Sequence, residues 1–321
     1  MGKLACIFPG QGSQSVGMGK DLFDNYEQAR ITFAEIDKVA GRSLSDLCFN
    51  GPEAELKRTV NTQPTILAAS LAAWHCYEAL GGPKPDFVAG HSLGELTALT
   101  AARVLPLDDV VRLVAKRSQL MEECPSGAMS AVIGVAAEDL EVCTREAQAE
   151  LQAAGDKEAC VIIANYNTRE QLVISGSPAA VTKAGEKAKA KGGKVIPLPV
   201  GGAFHSPLMV AASRDFSAAL ATAKFDRAIF SVVQNFDAMA TQDSQQIKEK
   251  LAKQIESPVR WCASVEMMLA AGVDTFVEIG PGKVLTGTVK KIDKSAKIFN
   301  IFDSQSLQTT IESLKQALAV T

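Results

Sequence analysis

The feature that most constrains this chain is a five-residue corner, Gly90-His91-Ser92-Leu93-Gly94, set between two segments of opposite character. Ahead of it, Phe87-Val88-Ala89-Gly90 is a brief apolar run of the kind that forms a buried strand. Behind it, Leu93–Ala102 is an apolar helical run. The corner reads G-x-S-x-G in the strand–turn–helix setting that this pattern requires. Its glycines permit a turn sharp enough to project the Ser92 hydroxyl from the sheet edge. The helix beginning at Leu93 aims free N–H groups at any negative charge formed beside that hydroxyl. The corner therefore points to a nucleophilic serine with Leu93 N–H as an oxyanion donor. An ordinary glycine-rich strand–helix turn is the alternative.

The rest of the chain extends this pattern. Leu4–Phe8 is an apolar run ended by Pro9-Gly10, and Ile66–Leu80 is a helical stretch stopped by Gly81-Gly82, with Pro64 placed as a first-turn proline. Strands alternating with helices imply a mostly parallel sheet covered on both faces. Near Ser126-Gly127 the texture changes. Strands are expected at Met129–Val135, Ala159–Ala164, Gln171–Ser175 and Lys194–Leu198, the middle two joined by a polar turn, with helices at Glu138–Ala153 and Ala179–Lys191. This β-α-β-β-α-β order is the ferredoxin-like signature. After Gly201-Gly202 the alternation resumes, with helices at Leu208–Thr222 and Pro258–Ala271 and strands at Phe230–Val233, Thr275–Ile279 and Ile298–Phe302. The expected organisation is a large α/β core from 1–127 and 200–321 carrying a small inserted subdomain, 128–199.

Composition narrows the function classes. With 321 residues, 47% of them hydrophobic, the chain can bury about three-quarters of its unfolded surface and needs no disulfide or metal to hold a core. Its 33 basic and 36 acidic residues leave no basic excess, which excludes a general nucleic-acid binder. Seven scattered cysteines, never spaced CxxC, suit reduced thiols in a cytoplasmic protein and argue against a zinc site. No secretory signal opens the chain, and the uncharged stretches Thr59–Tyr77 and Val195–Ser213 carry prolines and polar residues, so no membrane span is expected.

A nucleophilic serine needs a base, and the chain offers only His75, His91 and His205. His91 adjoins Ser92, and neighbouring side chains leaving a strand point apart. His75 lies inside a helix. His205 occupies a loop between a strand and a helix, where catalytic residues concentrate, and by elimination it is the base. Arg117 is the sharpest physical clue. On the helix after Pro106 it falls in the middle of the apolar face formed by Val110, Leu113, Val114, Leu120 and Met121. A guanidinium keeps its proton, so burying it calls for an anion: either a ligand carboxylate or a structural partner such as Glu95. Gly10-Gln11-Gly12-Ser13-Gln14 follows the first strand. Ser15 stands where a dinucleotide fingerprint wants its third glycine, so this loop better serves as the source of a second oxyanion N–H. The lysines of Glu186–Lys194 form either a solvated helix face or a docking patch for an acidic partner.

Four motifs in order carry a family resemblance: Phe8-Pro9-Gly10-Gln11-Gly12-Ser13-Gln14, Gly90-His91-Ser92-Leu93-Gly94-Glu95, Gly202-Ala203-Phe204-His205-Ser206-Pro207 and Glu278-Ile279-Gly280-Pro281-Gly282. Together they resemble the malonyl-CoA:acyl carrier protein transacylases of type II fatty-acid synthesis, over about residues 4 to 292. The resemblance implies an α/β-hydrolase-like core with an inserted ferredoxin-like subdomain. It implies transfer of malonyl from malonyl-CoA to the phosphopantetheine thiol of acyl carrier protein through a malonyl-Ser92 ester, with no metal or resident cofactor and no need for an oligomer. It casts Ser92 as nucleophile, His205 as base, and the Gln11 and Leu93 amides as the oxyanion hole. Arg117 becomes the malonyl-carboxylate clamp, and the backbone carbonyl of Gln254 orients the histidine in place of an acid. Gln63, Asn165 and Asn167 match family positions near the site. Phe204 resembles the malonyl type of related polyketide-synthase domains, a bulky ring leaving little room for a branch at the acyl α-carbon.

Overall fold

The computed structural model describes residues 2–319; Met1 and Val320-Thr321, the ends of the expected core, lie outside them. Ten strands run in chain order: β1 (Lys3–Phe8), β2 (Phe87–Gly90), β3 (Ala128–Ile133), β4 (Val161–Thr168), β5 (Gln171–Gly176), β6 (Lys194–Pro197), β7 (Ser231–Val233), β8 (Ala240–Thr241), β9 (Val273–Ile279) and β10 (Lys297–Ile301). Six of them form the large sheet, in the order β10-β9-β1-β2-β7-β8. Every pairing in it is parallel except the short edge pair β7–β8. The chain is thus mixed α/β with a parallel central sheet.

The central strand β1 shows why the sheet is sandwiched. Its side chains alternate between faces. Leu4, Cys6 and Phe8 join the core containing the helix Thr59–Ala79, whereas Ala5 and Ile7 join a second core around Trp261 and Phe276. Both faces are buried, so the strand reads as an uninterrupted apolar run.

The other four strands form an antiparallel sheet, β4-β5-β3-β6, connected β-α-β-β-α-β through helices Ala137–Ala153 and Pro178–Ala190. It has its own core, including Val132, Leu140, Ile163 and Ile174. Where the chain enters and leaves this unit the two segments meet: Ser126 bridges Gly202, and Gly127 N–H donates to the Gly201 carbonyl at 2.9 Å.

Three local expectations need correction. Pro64 is an interior residue of helix Thr59–Ala79, not a first-turn residue. A proline there frees the carbonyl four residues back, and the Val60 carbonyl instead accepts from Arg42 Nη2 at 3.0 Å. Strand β4 runs on through Thr168, so Asn165 and Asn167 lie in the strand rather than in a turn; two register irregularities accommodate them. The helix expected from Pro258 begins at Trp261, because Val259 pairs with β4, donating to Ala164 and accepting from Tyr166. The helices Lys20–Asn25, Glu27–Ala40, Leu44–Asn50, Glu53–Leu56, Ser244–Lys253 and Val284–Ile292 had no counterpart among the expected elements. No helix of the described residues is long and apolar enough to cross a membrane, and the seven cysteines are free.

The corner after β2 is packed to the limit. A Cβ on Gly94 would sit 2.1 Å from the Phe8 carbonyl oxygen, and one on Gly90 would sit 1.9 Å from the Gly94 carbonyl carbon. Both obstacles are backbone, which cannot swing aside as a side chain can. Gly94→Ala should therefore cost about 3 kcal/mol, the upper end of ordinary overpacking. The check is a lowered urea midpoint with an unchanged denaturant slope, and an unaltered midpoint would contradict the packing argument.

Candidate active site

Ser92 closes the corner with φ 52° and ψ −106°, a backbone state that non-glycine residues rarely adopt. Its N–H donates to Asn235 Oδ1 at 2.7 Å, and Asn235 Nδ2 donates to the Gly90 carbonyl at 2.7 Å. One side chain from just beyond β7 therefore staples both ends of the strained turn. His205 is also left-handed, with φ 58°, and its N–H is held by the Ile255 carbonyl at 3.0 Å. These two strained residues meet: Ser92 Oγ lies 2.7 Å from His205 Nε2.

The other ring nitrogen fixes the tautomer. His205 Nδ1 faces the carbonyl oxygens of Gln254 at 2.9 Å and Ser257 at 3.2 Å. Carbonyls only accept, so Nδ1 carries the proton and Nε2 presents its lone pair to the serine hydroxyl. No carboxylate touches the ring. His205 is 3% exposed, and burial first, then the charge of Arg117, pulls its pKa down from 6.5 to about 3. The imidazole is thereby held neutral, ready to accept a proton.

Arg117 emerges from the apolar face of helix Leu107–Glu122 and is fully buried, beside Val110, Val114 and Met121; Leu120 is only half-buried. Its Nη1 donates to Gln63 Oε1 at 2.6 Å, and its Nη2 donates to Gln254 Oε1 at 2.9 Å and to Ser92 Oγ at 3.0 Å. Its Nε is buried without a partner. The Glu95 pairing is not formed. That carboxylate takes hydrogen bonds from the Asn235 main chain and from the Gln254 and Gln234 amides instead. Burial draws the guanidinium down to about 10, opposed by the field of Glu95. A buried cation with neutral acceptors and one idle N–H is short of an anion.

The first-strand loop completes the enclosure. Gly10 lies so close that a Cβ there would be 2.3 Å from the His91 carbonyl oxygen. This brings Gln11 against the corner, where it lines a cavity of about 110 Å³ together with Ser92, Leu93, Arg117, Gln63, Asn165, Phe204 and His205. Asn167 is not among the lining residues. It holds His91 Nε2 at 2.7 Å, and so stands one residue behind the cavity. His75 is engaged by Thr32 at 2.7 Å, far from the site in function. A second cavity of about 320 Å³ shares Met121, Val200 and Phe204 with the first and adds Lys57 and Arg58. Of the lysine run, Lys187 pairs with Glu146 and Glu150 and Lys191 pairs with Asp139, while Lys189 and Lys194 are exposed.

The sequence reading missed Asn235, Gln234 and the side chain of Gln254. The first two follow a strand of a parallel sheet at its carboxyl end, where ligand sites gather, and that was the available signal.

A strained serine with a neutral histidine beside it, at the start of a helix, is an arrangement suited to nucleophilic acyl chemistry. Residues 5–313 match the family model described as acyl transferase domain. The malonyl CoA-acyl carrier protein transacylase of Bacillus subtilis (strain 168) is 41% identical over 320 residues, 98% of each chain. A crystal structure of an acyl carrier protein S-malonyltransferase from Vibrio cholerae superposes with TM-score 0.90 at 40% identity, over 96% of this chain and 99% of that one. A malonyl-transacylase in complex with its type II PKS acyl-carrier protein superposes with TM-score 0.92 at 38% identity, over 97% of this chain and 99% of that one. The chain belongs to the malonyl CoA-acyl carrier protein transacylase family.

The depressed basicity of His205 separates activity from stability as the pH falls. The folded state refuses a proton that the unfolded state accepts near 6.5, so stability declines from that pH downward toward about 3. Ser92 should still react. Its acylation by p-nitrophenyl acetate is expected to stay level from pH 7 to about 5, followed by stopped assay of released nitrophenol. A half-point near 6.5 would contradict this.

Proposed function

We propose that this enzyme transfers malonyl from malonyl-CoA to the phosphopantetheine thiol of acyl carrier protein by a two-stage exchange on Ser92, supplying fatty-acid chain elongation. His205 Nε2 takes the Ser92 proton as Oγ attacks the thioester carbonyl. The N–H groups of Gln11 and Leu93 receive the oxyanion, each such donor being worth about 3 kcal/mol at comparable sites. His205 returns the proton to the departing CoA thiolate, leaving malonyl-Ser92. The carrier's thiol then enters and the same steps run backward. Each step uses groups of this chain, so the scheme calls for no metal or resident cofactor.

The observation that carries the reading is Arg117: fully buried, 3.0 Å from the nucleophile, and without a carboxylate partner. A malonyl carboxylate supplies the missing anion, and a neutral acyl group does not. Phe204, lining both cavities, crowds the acyl α-carbon, and Asn165 and Gln63 border the same space. The adjoining cavity with Lys57 and Arg58 offers room for the pantetheine arm common to both substrates. Malonyl-CoA and acyl carrier protein are thus the partners we assign.

The strand order of the two sheets supports an α/β-hydrolase-like core, 1–127 and 200–321, with a ferredoxin-like insertion, 128–199. Nothing in the exchange on Ser92 calls for a second copy, and we read the working unit as a monomer. Seven free thiols suit the cytoplasm.

The test is intact mass after incubation with malonyl-CoA. A malonyl adduct mapping to Ser92 and discharged by holo acyl carrier protein is expected; steady release of free malonate would make the protein a hydrolase. Ser92→Ala should abolish the adduct. Arg117→Ala should lower kcat/KM for malonyl-CoA about 100-fold, the value of a charge-assisted pair, while acetyl-CoA changes by less than about threefold. Equal losses would refute the clamp.

A further inference from the structure

A second buried charge lies behind the site, and the exchange just described does not use it. Glu95 is 1% exposed. Three donors converge on its carboxylate: Asn235 N at 2.9 Å and Gln254 Nε2 at 3.0 Å on Oε2, and Gln234 Nε2 at 3.2 Å on Oε1. The three atoms that face it all donate, an arrangement that favours the ionised form. Burial nevertheless raises its pKa above the ordinary carboxylate value, opposed in part by those donors and by Arg117.

Gln254 stands between this carboxylate and the guanidinium. The two ends of an amide differ, and the neighbours decide which way it faces. Its NH2 donates to Glu95 Oε2 and to the Ser92 carbonyl at 2.9 Å, both of which can only accept. Its oxygen is thereby turned onto Arg117 Nη2 at 2.9 Å. Were the amide reversed, its N–H groups would confront the N–H groups of Arg117. Its backbone carbonyl meanwhile holds His205 Nδ1.

We propose that Glu95 is a positioning residue: through the carboxamide of Gln254 it sets the attitude of Arg117, and so the preference for an acyl group bearing a carboxylate. The proposal rests on the reading of Arg117 as the carboxylate clamp. Glu95 touches no substrate. Its effect travels along one chain of hydrogen bonds, Glu95–Gln254–Arg117, and should vanish when the middle link is removed.

The experiment compares kcat/KM for malonyl-CoA and acetyl-CoA in Glu95→Gln, Gln254→Met, the double variant and Arg117→Ala. Glu95→Gln keeps the shape but replaces the carboxylate that holds the Gln254 NH2 with a weaker, neutral acceptor. Its malonyl-to-acetyl ratio should fall about tenfold, a hydrogen bond to a charged group being at stake. Gln254→Met should lower the ratio similarly, and adding Glu95→Gln to it should change the ratio by less than about twofold. Equal losses on both substrates, or a full further drop in the double variant, would overturn the proposal. If Glu95→Gln does not fold, Gln254→Met decides, and an unaltered ratio there overturns it. A ratio unmoved by Arg117→Ala removes the clamp reading and this proposal with it. A ratio moved by Arg117→Ala but not by Glu95→Gln removes the proposal alone.

Discussion

The structure turns on a cation taken out of water and given only neutral company. Arg117 is fully buried, and its hydrogens meet two amide oxygens and one hydroxyl. Removing a guanidinium from water costs several kcal/mol, and neutral acceptors recover only part of that. A protein seeking stability alone would place a carboxylate there, and one lies close by at Glu95. Interposing Gln254 keeps the two charges within each other's field yet leaves the guanidinium with an idle N–H. On the proposed reading, that unspent attraction is what a substrate carboxylate collects.

The same residues also hold strain in place. Ser92 and His205, which face each other at 2.7 Å, both occupy left-handed backbone. Such states cost on the order of 1–3 kcal/mol each and persist only where the surroundings dictate them. Here the dictation is explicit: Asn235 ties Ser92 N–H to the Gly90 carbonyl, β1 closes against Gly94, and Ile255 holds His205 N–H. The sheet supplies the rigidity and the loops at its carboxyl ends supply the chemistry, the division usual in α/β proteins.

Much of this was legible in the residue order because its causes are local. The corner at Gly90–Gly94 advertises itself through two glycines that no side chain could replace. Arg117 stands out because helical periodicity places it on an apolar face, and that signal needs no knowledge of partners. What stayed hidden has long-range causes. Asn235 meets Ser92 across 143 residues, and Gln254 meets Glu95 across 159; no spacing rule joins them. Two short helices escaped for another reason: Leu44–Asn50 and Glu53–Leu56 span too few turns to display a period, and tertiary packing makes them helical. The continuation of β4 through Asn165 and Asn167 was masked because polar side chains there face the site and His91 rather than solvent.

His205 and Arg117 are coupled by the field that links them. Burial lowers the basicity of His205, and the unneutralised charge of Arg117 lowers it further. On the proposed reading, a malonyl carboxylate seated on Arg117 cancels that charge at the moment the serine must lose its proton. It also competes for Nη2, which otherwise donates to Ser92 Oγ and draws electron density from the nucleophile. An acyl group lacking the carboxylate leaves both handicaps in force. Discrimination then arises at the proton transfer as well as in binding, which is the form of selectivity that raises turnover rather than merely tightening the ground state.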